Sequence, residues 1–185
     1  MRSVYILLTR SGTIASRTIH LVTRDMFTHA SIALDENLYE MYSSTRKNGR
    51  TLFPAGPCRE YLRGGYFRKP GNIPCALLEL KVDQQTYDRV REEVDKVMME
   101  ADRYRYNIAG LVMCKFQIPS RRKYHLFCSQ FVSQVLEQAQ ALDLPRHASL
   151  MKPNDYASLP GLNCLFQGTL TDLMKQKQIP HYTYM

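Results

Sequence analysis

The sequence predicts an α+β fold in which a mostly antiparallel sheet packs against helices. Three observations lead to this prediction. Strand-like and helix-like segments come in blocks along the chain rather than in strict alternation. A hairpin pattern lies in the amino-terminal part, where two short β-like runs flank a polar turn. The carboxyl-terminal half instead carries apolar residues at helical spacing.

The predicted strands rest on β-branched and aromatic runs, or on alternation of apolar and polar residues. Asp35, Glu36 and Asn37 separate two such runs, and Asp and Asn tolerate the left-handed backbone that a tight turn requires. These two runs therefore predict a hairpin. The predicted strands are residues 3–9, 29–34, 38–43, 76–82 and 164–167.

The predicted helices are identified by apolar residues at helical spacing. The clearest helix begins after Asp83, whose side chain is suited to cap it, and runs to about Ala101. Residues 46–74, rich in glycine and proline, predict a long connection with a short helical piece near residues 59–63. Whether this connection acts as a lid is left open. The other predicted helices are residues 14–22, 108–115, 128–141 and a terminal helix from residue 169.

The length and composition favour one folded domain over residues 1–185. The apolar run Val4 to Leu8 is shorter than a secretory signal or a membrane span requires. The five cysteines are an odd, scattered set without a CxxC pair, which argues against a disulfide framework and against a thiolate zinc site. We therefore expect a cytoplasmic, reduced protein that needs no metal and no organic cofactor.

The formal net charge is +8, and basic residues cluster around positions 46–50 and 121–123. Such an excess attracts anionic partners, although a solvated surface that keeps the protein soluble explains it equally well. Nucleic-acid binding is not expected, because no recognition motif is present and the aromatic residues are not interleaved with the basic runs. The sequence leaves the oligomeric state open.

Cys128 is the candidate nucleophile. The segment Tyr-His-Leu-Phe-Cys-Ser-Gln-Phe-Val at residues 124–132 changes from polar to apolar periodicity at this cysteine, so Cys128 is expected in the first turn of a helix. Unpaired backbone amides and the helix dipole favour a thiolate there, and the same amides can stabilise an oxyanion. The alternative is that Cys128 is a small buried residue.

His29 is the candidate base among the five histidines. It begins a strand of small and apolar residues, where a bulky polar ring is unusual and indicates a specific role. By alternation, His29 shares one face with Ser31 and Ala33, whose small side chains leave room for a ring and a substrate. The alternative is a buried histidine whose hydrogen bonds are satisfied and which has no catalytic role.

These residues carry a resemblance to a known superfamily. Thr-His-Ala-Ser-Ile-Ala-Leu-Asp followed by Leu-Tyr-Glu-Met-Tyr-Ser, and later Phe-Cys-Ser-Gln-Phe-Val, resemble the permuted branch of the NlpC-type papain-like superfamily. That branch includes the YiiX-like proteins and, more distantly, the lecithin retinol acyltransferase-type enzymes. The histidine precedes the cysteine by about a hundred residues, which is the permuted order. The resemblance implies a papain-like fold with His29 as base and Cys128 as nucleophile.

The resemblance further implies a polar third residue on the strand after His29, for which Glu40 is the candidate. A turn centred on residues 36–37 puts Glu40 on the face of His29 but opposite Ala33, and a turn at residues 34–35 or a bulge brings it opposite His29. A turn centred on Glu36 alone puts it on the other face. Ser31, Tyr42 and Ser44 are the alternatives.

The resemblance also implies a tyrosine upstream of the cysteine that lines the site and helps to bind the oxyanion. Tyr104 and Tyr106, in Tyr-Arg-Tyr-Asn, are similar to that feature, and the alternative is that both pack at the end of a helix. The sequence lacks the Asp-Cys-Ser-Gly signature of the cell-wall hydrolases and the Asn-Cys-Glu-His pattern of the acyltransferases. These departures leave the substrate open.

Together these features predict a thiol hydrolase that cleaves an amide, peptide or ester bond. The expected substrate is a peptide, an amide or an acyl compound, and an anionic substrate would suit the basic clusters. Two alternatives stay open. One is acyl transfer or lipid hydrolysis at an anionic membrane surface, which the basic clusters suit. The other is a catalytically silent module that binds a ligand in the same groove.

Overall fold

The computed structural model of the chain describes residues 1–10, 25–46, 55–62, 67 and 72–178. Within that part, strands and helices form an α+β structure with a mostly antiparallel sheet, as predicted. The strands are β1 (Arg2–Thr9), β2 (His29–Ala33), β3 (Met41–Arg46), β4 (Ala55–Glu60), β5 (Pro74–Val82), β6 (Arg105–Tyr106), β7 (His125–Leu126) and β8 (Leu162–Thr169). The α-helices are α1 (Gln84–Met99), α2 (Ile108–Lys115), α3 (Cys128–Gln138) and α4 (Leu170–Gln176), and short 3-10 turns cover Ala148–Leu150 and Pro153–Ser158.

Strand β1 lies in the middle of a six-stranded sheet with the order β4-β3-β2-β1-β5-β8 among the described residues. All neighbouring pairs of this sheet are antiparallel. Ile6 belongs to the core under α1 and α3, whereas Leu7 belongs to a second core on the opposite face, which includes residues of α4. Because both faces of β1 are covered, its sequence shows a continuous apolar run instead of an alternating pattern.

Local caps explain where the first two helices begin. The Asp83 side chain accepts a hydrogen bond of 2.6 Å from the backbone amide of Thr86, so α1 starts where the sequence predicts. The Asn107 side chain accepts 2.9 Å from the amide of Gly110 and starts α2 in the same way. Helix α1 turns Val90 and Val94 inward, and both are fully buried.

The β2–β3 hairpin has a longer turn than predicted. Ile32 pairs with Tyr42 and Ala33 with Met41, so the turn is centred on Asn37. The Asp35 carboxylate accepts hydrogen bonds from the backbone amides of residues 39 and 40, at 3.1 and 2.6 Å, and Leu38 adopts a φ of 61°. Because the side-chain period of a strand is two, this register decides which face each later residue occupies.

Strand β4 replaces the helical piece predicted near residues 59–63. It pairs with β3 and forms an edge of the six-stranded sheet. Its Pro57 argues against a strand in the sequence, but an edge strand tolerates a proline because one side of its backbone needs no ladder partner. The predicted helix at residues 14–22, and much of the 46–74 connection with its lid hypothesis, lie outside the described residues.

No described helix has both the length and the apolar character needed to cross a membrane.

Candidate active site

Cys128 is the first residue of α3, as the sequence predicts. The residue before it, Phe127, caps the helix without a side-chain hydrogen bond, so the side chain at the cap does not occupy the amides of the first turn. Cys128 is 5% exposed, and its sulfur lies 4.0 Å from the backbone oxygen of Thr28. Thr28 immediately precedes His29, and α3 thus brings the thiol to the start of β2.

His29 hydrogen-bonds to Cys128 through its side chain, so the structure brings the predicted nucleophile and base together. The ring is 3% exposed, and the Phe67 ring packs edge-on against it with centroids 6.1 Å apart. Glu60 on β4 and Ser31 lie within hydrogen-bonding distance of Nε2 of the imidazole. The ring can therefore exchange a proton with the thiol while these contacts hold it in place.

Glu60 is the carboxylate that holds the ring. Its Oε1 and Oε2 lie 3.1 and 3.2 Å from His29 Nε2, and Glu60 is 4% exposed. Ser31 donates a hydrogen bond to Glu60 Oε2, and its Oγ lies 3.2 Å from the same Nε2. A buried carboxylate beside Nε2 selects the tautomer and orientation of the imidazole and stabilises its charged form.

The surroundings of His29 raise its pKa from 6.5 to about 10. Burial acts in the opposite direction, because a charged ring is poorly solvated in the interior. The negative charge of Glu60 and the hydrogen bonds to Cys128 and Glu60 outweigh that effect. The imidazolium form is therefore favoured at neutral pH beside the sulfur of Cys128.

Two other buried cysteines show the effect of burial on the pKa of a thiol. None of the five cysteines, which all lie in the described part of the chain, forms a disulfide bond. Burial raises the pKa of the Cys75 thiol to about 12 and also raises the pKa of Cys114. Cys114 is buried and lines the same cavity as Cys128, so the two thiols can be compared within one site.

Glu40 does not lie beside His29, contrary to the sequence-based prediction. In the observed register Glu40 is opposite Leu34, one residue beyond the Ala33–Met41 pair, and so occupies the face of the sheet away from His29. There its Oε2 lies 2.8 Å from a guanidinium nitrogen of Arg91 on α1, with both side chains more than a third exposed. Glu60 takes the position beside His29 that the prediction assigned to Glu40.

The three alternative orienting residues have separate roles. Ser31 belongs to the Glu60–His29 group, as described above. Ser44 donates a 2.7 Å hydrogen bond to the backbone oxygen of Leu126, which fixes the segment entering α3 against β3. Tyr42 is half-buried and packs against the core on the helix side of the sheet.

The two candidate tyrosines lie in different surroundings. Tyr106 lines the cavity next to Cys128. Tyr104 packs its ring edge-on against Tyr124, with centroids 5.2 Å apart, and contributes to the core. Tyr106 therefore shares a cavity with Cys128, whereas Tyr104 fits the packing alternative.

A cavity of about 300 Å³ opens beside the sulfur. Its walls are mainly apolar and come from the segment before β2, from α2 and from the loop before the second 3-10 turn. Lys115 and Lys152 add positive charge to the lining, and Asp25 adds a negative charge. Such a cavity suits a largely apolar group with a small number of polar contacts.

A buried hydrogen-bond network supports the first turn of α3, which begins at Cys128. Ser129 Oγ donates 2.7 Å to the backbone oxygen of Met151, and the Tyr156 hydroxyl donates 2.9 Å to the backbone oxygen of Ser129. The Asn107 side chain donates 3.0 Å to Gln130 Oε1. These contacts fix the first turn of α3, which determines where the sulfur and the neighbouring amides point.

Replacing Glu40 with glutamine should change the free energy of unfolding by less than about 1 kcal/mol, because the Glu40–Arg91 pair is solvent-exposed. The alkylation rate of Cys128 should stay the same. Urea denaturation and mass-spectrometric alkylation measure the two quantities. A loss of Cys128 reactivity in Glu40→Gln would contradict the placement of Glu40 described here.

The stabilisation that His29 provides should decrease as pH rises. Its pKa is higher in the folded protein than its ordinary value of 6.5, so the folded state binds the proton more tightly. That stabilisation is complete below about pH 6.5 and is lost as pH passes about 10. Urea denaturation should show the difference between wild type and His29→Gln shrinking over this interval. A difference that is constant or grows with pH would contradict the charged pair.

The comparisons with known proteins identify no relative: no protein-family model and no curated protein matches this chain. The described residues contain no group of three or more His, Cys, Asp or Glu side chains arranged to hold a metal ion.

Proposed function

We propose that this protein is a cysteine hydrolase in which Cys128 is the nucleophile, His29 the general acid and base, and Glu60 the residue that positions His29. One observation carries the proposal. A fully buried imidazole lies between a buried carboxylate and a thiol at a helix start, and its pKa is raised to about 10. Nucleophile, base and orienting group in this order are the arrangement that covalent catalysis requires.

The proposal includes a papain-like fold of the permuted NlpC type. In support, the nucleophile begins a helix that packs on an antiparallel sheet, and the histidine lies on a strand of that sheet. The histidine precedes the cysteine in the chain, as in the permuted branch that the sequence resembles. The orienting carboxylate comes from β4, two strands away from the histidine.

The first half of the reaction forms an acyl-enzyme. The Cys128 thiolate attacks the carbonyl carbon of an amide or ester, and the carbonyl electrons move to oxygen. The backbone amide of Cys128, at the start of α3, is suited to bind this oxyanion. His29 then gives its proton to the leaving amine or alcohol as the carbon–heteroatom bond breaks, which leaves a thioester on Cys128.

The second half returns the enzyme to its starting state. His29, now neutral, takes a proton from a water molecule as that water attacks the thioester carbonyl. The second tetrahedral intermediate expels the Cys128 thiolate, and the carboxylic acid leaves. Glu60 keeps its position throughout, since its role is to orient the ring and to stabilise each imidazolium that forms.

An electrophilic acyl probe tests this proposal. Activated esters that differ in their acyl group should acylate Cys128, and intact-protein mass spectrometry should show one adduct that decays as water releases the acid. Cys114→Ala should form the adduct, whereas Cys128→Ala should not. An adduct that persists until an amine or alcohol is added would indicate acyl transfer. The absence of any adduct on Cys128 would favour a binding module and contradict the proposal.

A further inference from the structure

The surface of α2 and the loop after it exposes apolar side chains that a protein in water normally buries. Ile108, Val112, Phe116 and Ile118 are 52%, 55%, 65% and 50% exposed. Residues 108, 112 and 116 recur every four positions, which places them along one side of α2 and its cap. Adjacent large apolar residues with this exposure mark a surface that contacts something less polar than water.

The same region of the sequence accounts for most of the net positive charge of the protein. Between Asp102 and Glu137 the sequence contains no acidic residue and six basic ones, so this segment contributes +6 of the formal +8. Four of the six, Lys115, Arg121, Arg122 and Lys123, are exposed and lie within five residues of Phe116 or Ile118 in the sequence. We call the eight residues Ile108, Val112, Lys115, Phe116, Ile118, Arg121, Arg122 and Lys123 the rim surface.

We propose that the rim surface docks on an anionic lipid bilayer. Exposed apolar side chains beside lysines and arginines match an interface in which acyl chains lie under negatively charged headgroups. A second copy of this chain fits poorly, because self-docking would bring two segments of charge +6 together. An acidic protein would satisfy the charges, but it would leave the row of apolar side chains without the hydrocarbon phase that a bilayer supplies.

The rim surface is continuous with the candidate active site. Val112, Lys115 and Phe116 belong both to the rim surface and to the lining of the cavity that contains Cys128. Docking would therefore place the mouth of this cavity at the bilayer interface, where an amphiphilic substrate could enter without passing through water. This consequence for the substrate rests on the proposed function, whereas the docking itself does not.

Vesicle co-sedimentation of the full-length Cys128→Ala protein tests the docking separately from catalysis. The protein should sediment with phosphatidylcholine vesicles that contain phosphatidylserine, and much less with pure phosphatidylcholine. Binding should weaken as salt shortens the Debye length from about 10 Å to about 3 Å. Each basic residue contributes roughly fivefold, so replacing Arg121, Arg122 and Lys123 with glutamine should weaken binding about a hundredfold.

Three further variants make the test specific. Ile108→Ser and Ile118→Ser, which lie outside the cavity lining, should each weaken binding by about tenfold, because each removes an exposed apolar side chain from the interface. A triple glutamine variant of the exposed lysines 81, 96 and 175 makes the same change in net charge elsewhere and should bind as the parent protein does.

Several results would overturn the proposal. The rim and control triple variants could bind vesicles equally well, binding could fail to respond to salt, or the protein could fail to sediment with anionic vesicles. Capture of an acidic polypeptide by the rim surface in place of vesicles would also count against it. Circular dichroism of each variant verifies that the fold is kept. Because binding is measured on a protein without the nucleophile, a failure here leaves the acyl-probe result untouched.

Discussion

Cys128→Ala is expected to lower the rate of hydrolysis by roughly 10³-fold to 10⁶-fold, since loss of a nucleophile removes the covalent route and leaves only binding and oxyanion stabilisation. The measurement is turnover of the ester or amide that the acyl probes identify as the best substrate. The substitution removes one sulfur atom from a buried site and leaves a small cavity, so the melting temperature should fall modestly while the fold is kept.

Cys114→Ala is the matched control for this experiment. Cys114 is also buried and lines the same cavity, but burial raises the pKa of its thiol. The variant should therefore keep turnover within a few-fold of wild type. Equal losses in Cys114→Ala and Cys128→Ala would point to damage to the cavity, and full turnover by Cys128→Ala would rule out the acyl-enzyme mechanism.

Glu60→Ala is expected to have the second largest effect, and it should affect stability as well as reactivity. Glu60 and His29 form a buried charged pair, and removing one partner of such a pair typically costs about 3–5 kcal/mol. Without the carboxylate, the negative charge of Glu60 no longer raises the pKa of His29, and burial lowers that pKa. His29 then loses its charge at neutral pH, and the Cys128 sulfur no longer has an imidazolium beside it.

Glu60→Gln separates the two effects, because it keeps the shape and one acceptor oxygen but removes the charge. It should slow alkylation of Cys128 at neutral pH by roughly tenfold to a hundredfold while costing less stability than the alanine variant. Glu40→Gln is the matched control, since it removes a glutamate charge from the other face of the same sheet region. If Glu60→Gln left Cys128 as reactive as Glu40→Gln does, the positioning role of Glu60 would be wrong.

Most of the regular structure follows from local sequence patterns. The caps at Asp83 and Asn107 begin α1 and α2, and the apolar stripe of α3 begins at Cys128. Strand β4 could not be predicted in this way. Its Gly56 and Pro57 are typical of a loop, and only its place at a sheet edge makes a strand compatible with them.

Site residues that are marked by a local sequence pattern could be predicted. Site residues whose position depends on the register between strands could not. A polar-to-apolar switch marks Cys128, and a bulky polar ring in a strand of small residues marks His29. Glu40 and Glu60 occupy different faces of the sheet, and the local sequence does not encode which face each one occupies. A turn centred on Asn37 sends Glu40 to the helix face, while pairing between β3 and β4 brings Glu60 to the His29 face. The segment Cys-Arg-Glu that contains Glu60 has no distinguishing pattern of its own.

The central claim is that the His29 imidazole and the Cys128 sulfur form a reactive pair, and site-resolved alkylation tests it most directly. At pH 6 an ordinary cysteine is only about 0.3% thiolate. Accessibility alone would favour Cys164, which is exposed, over Cys128, which is buried. We expect iodoacetamide at pH 6 to modify Cys128 at least about tenfold faster than Cys164, and His29→Gln to abolish this preference. Modification in the order of exposure, with Cys164 first and Cys128 unaffected by the loss of His29, would contradict the account.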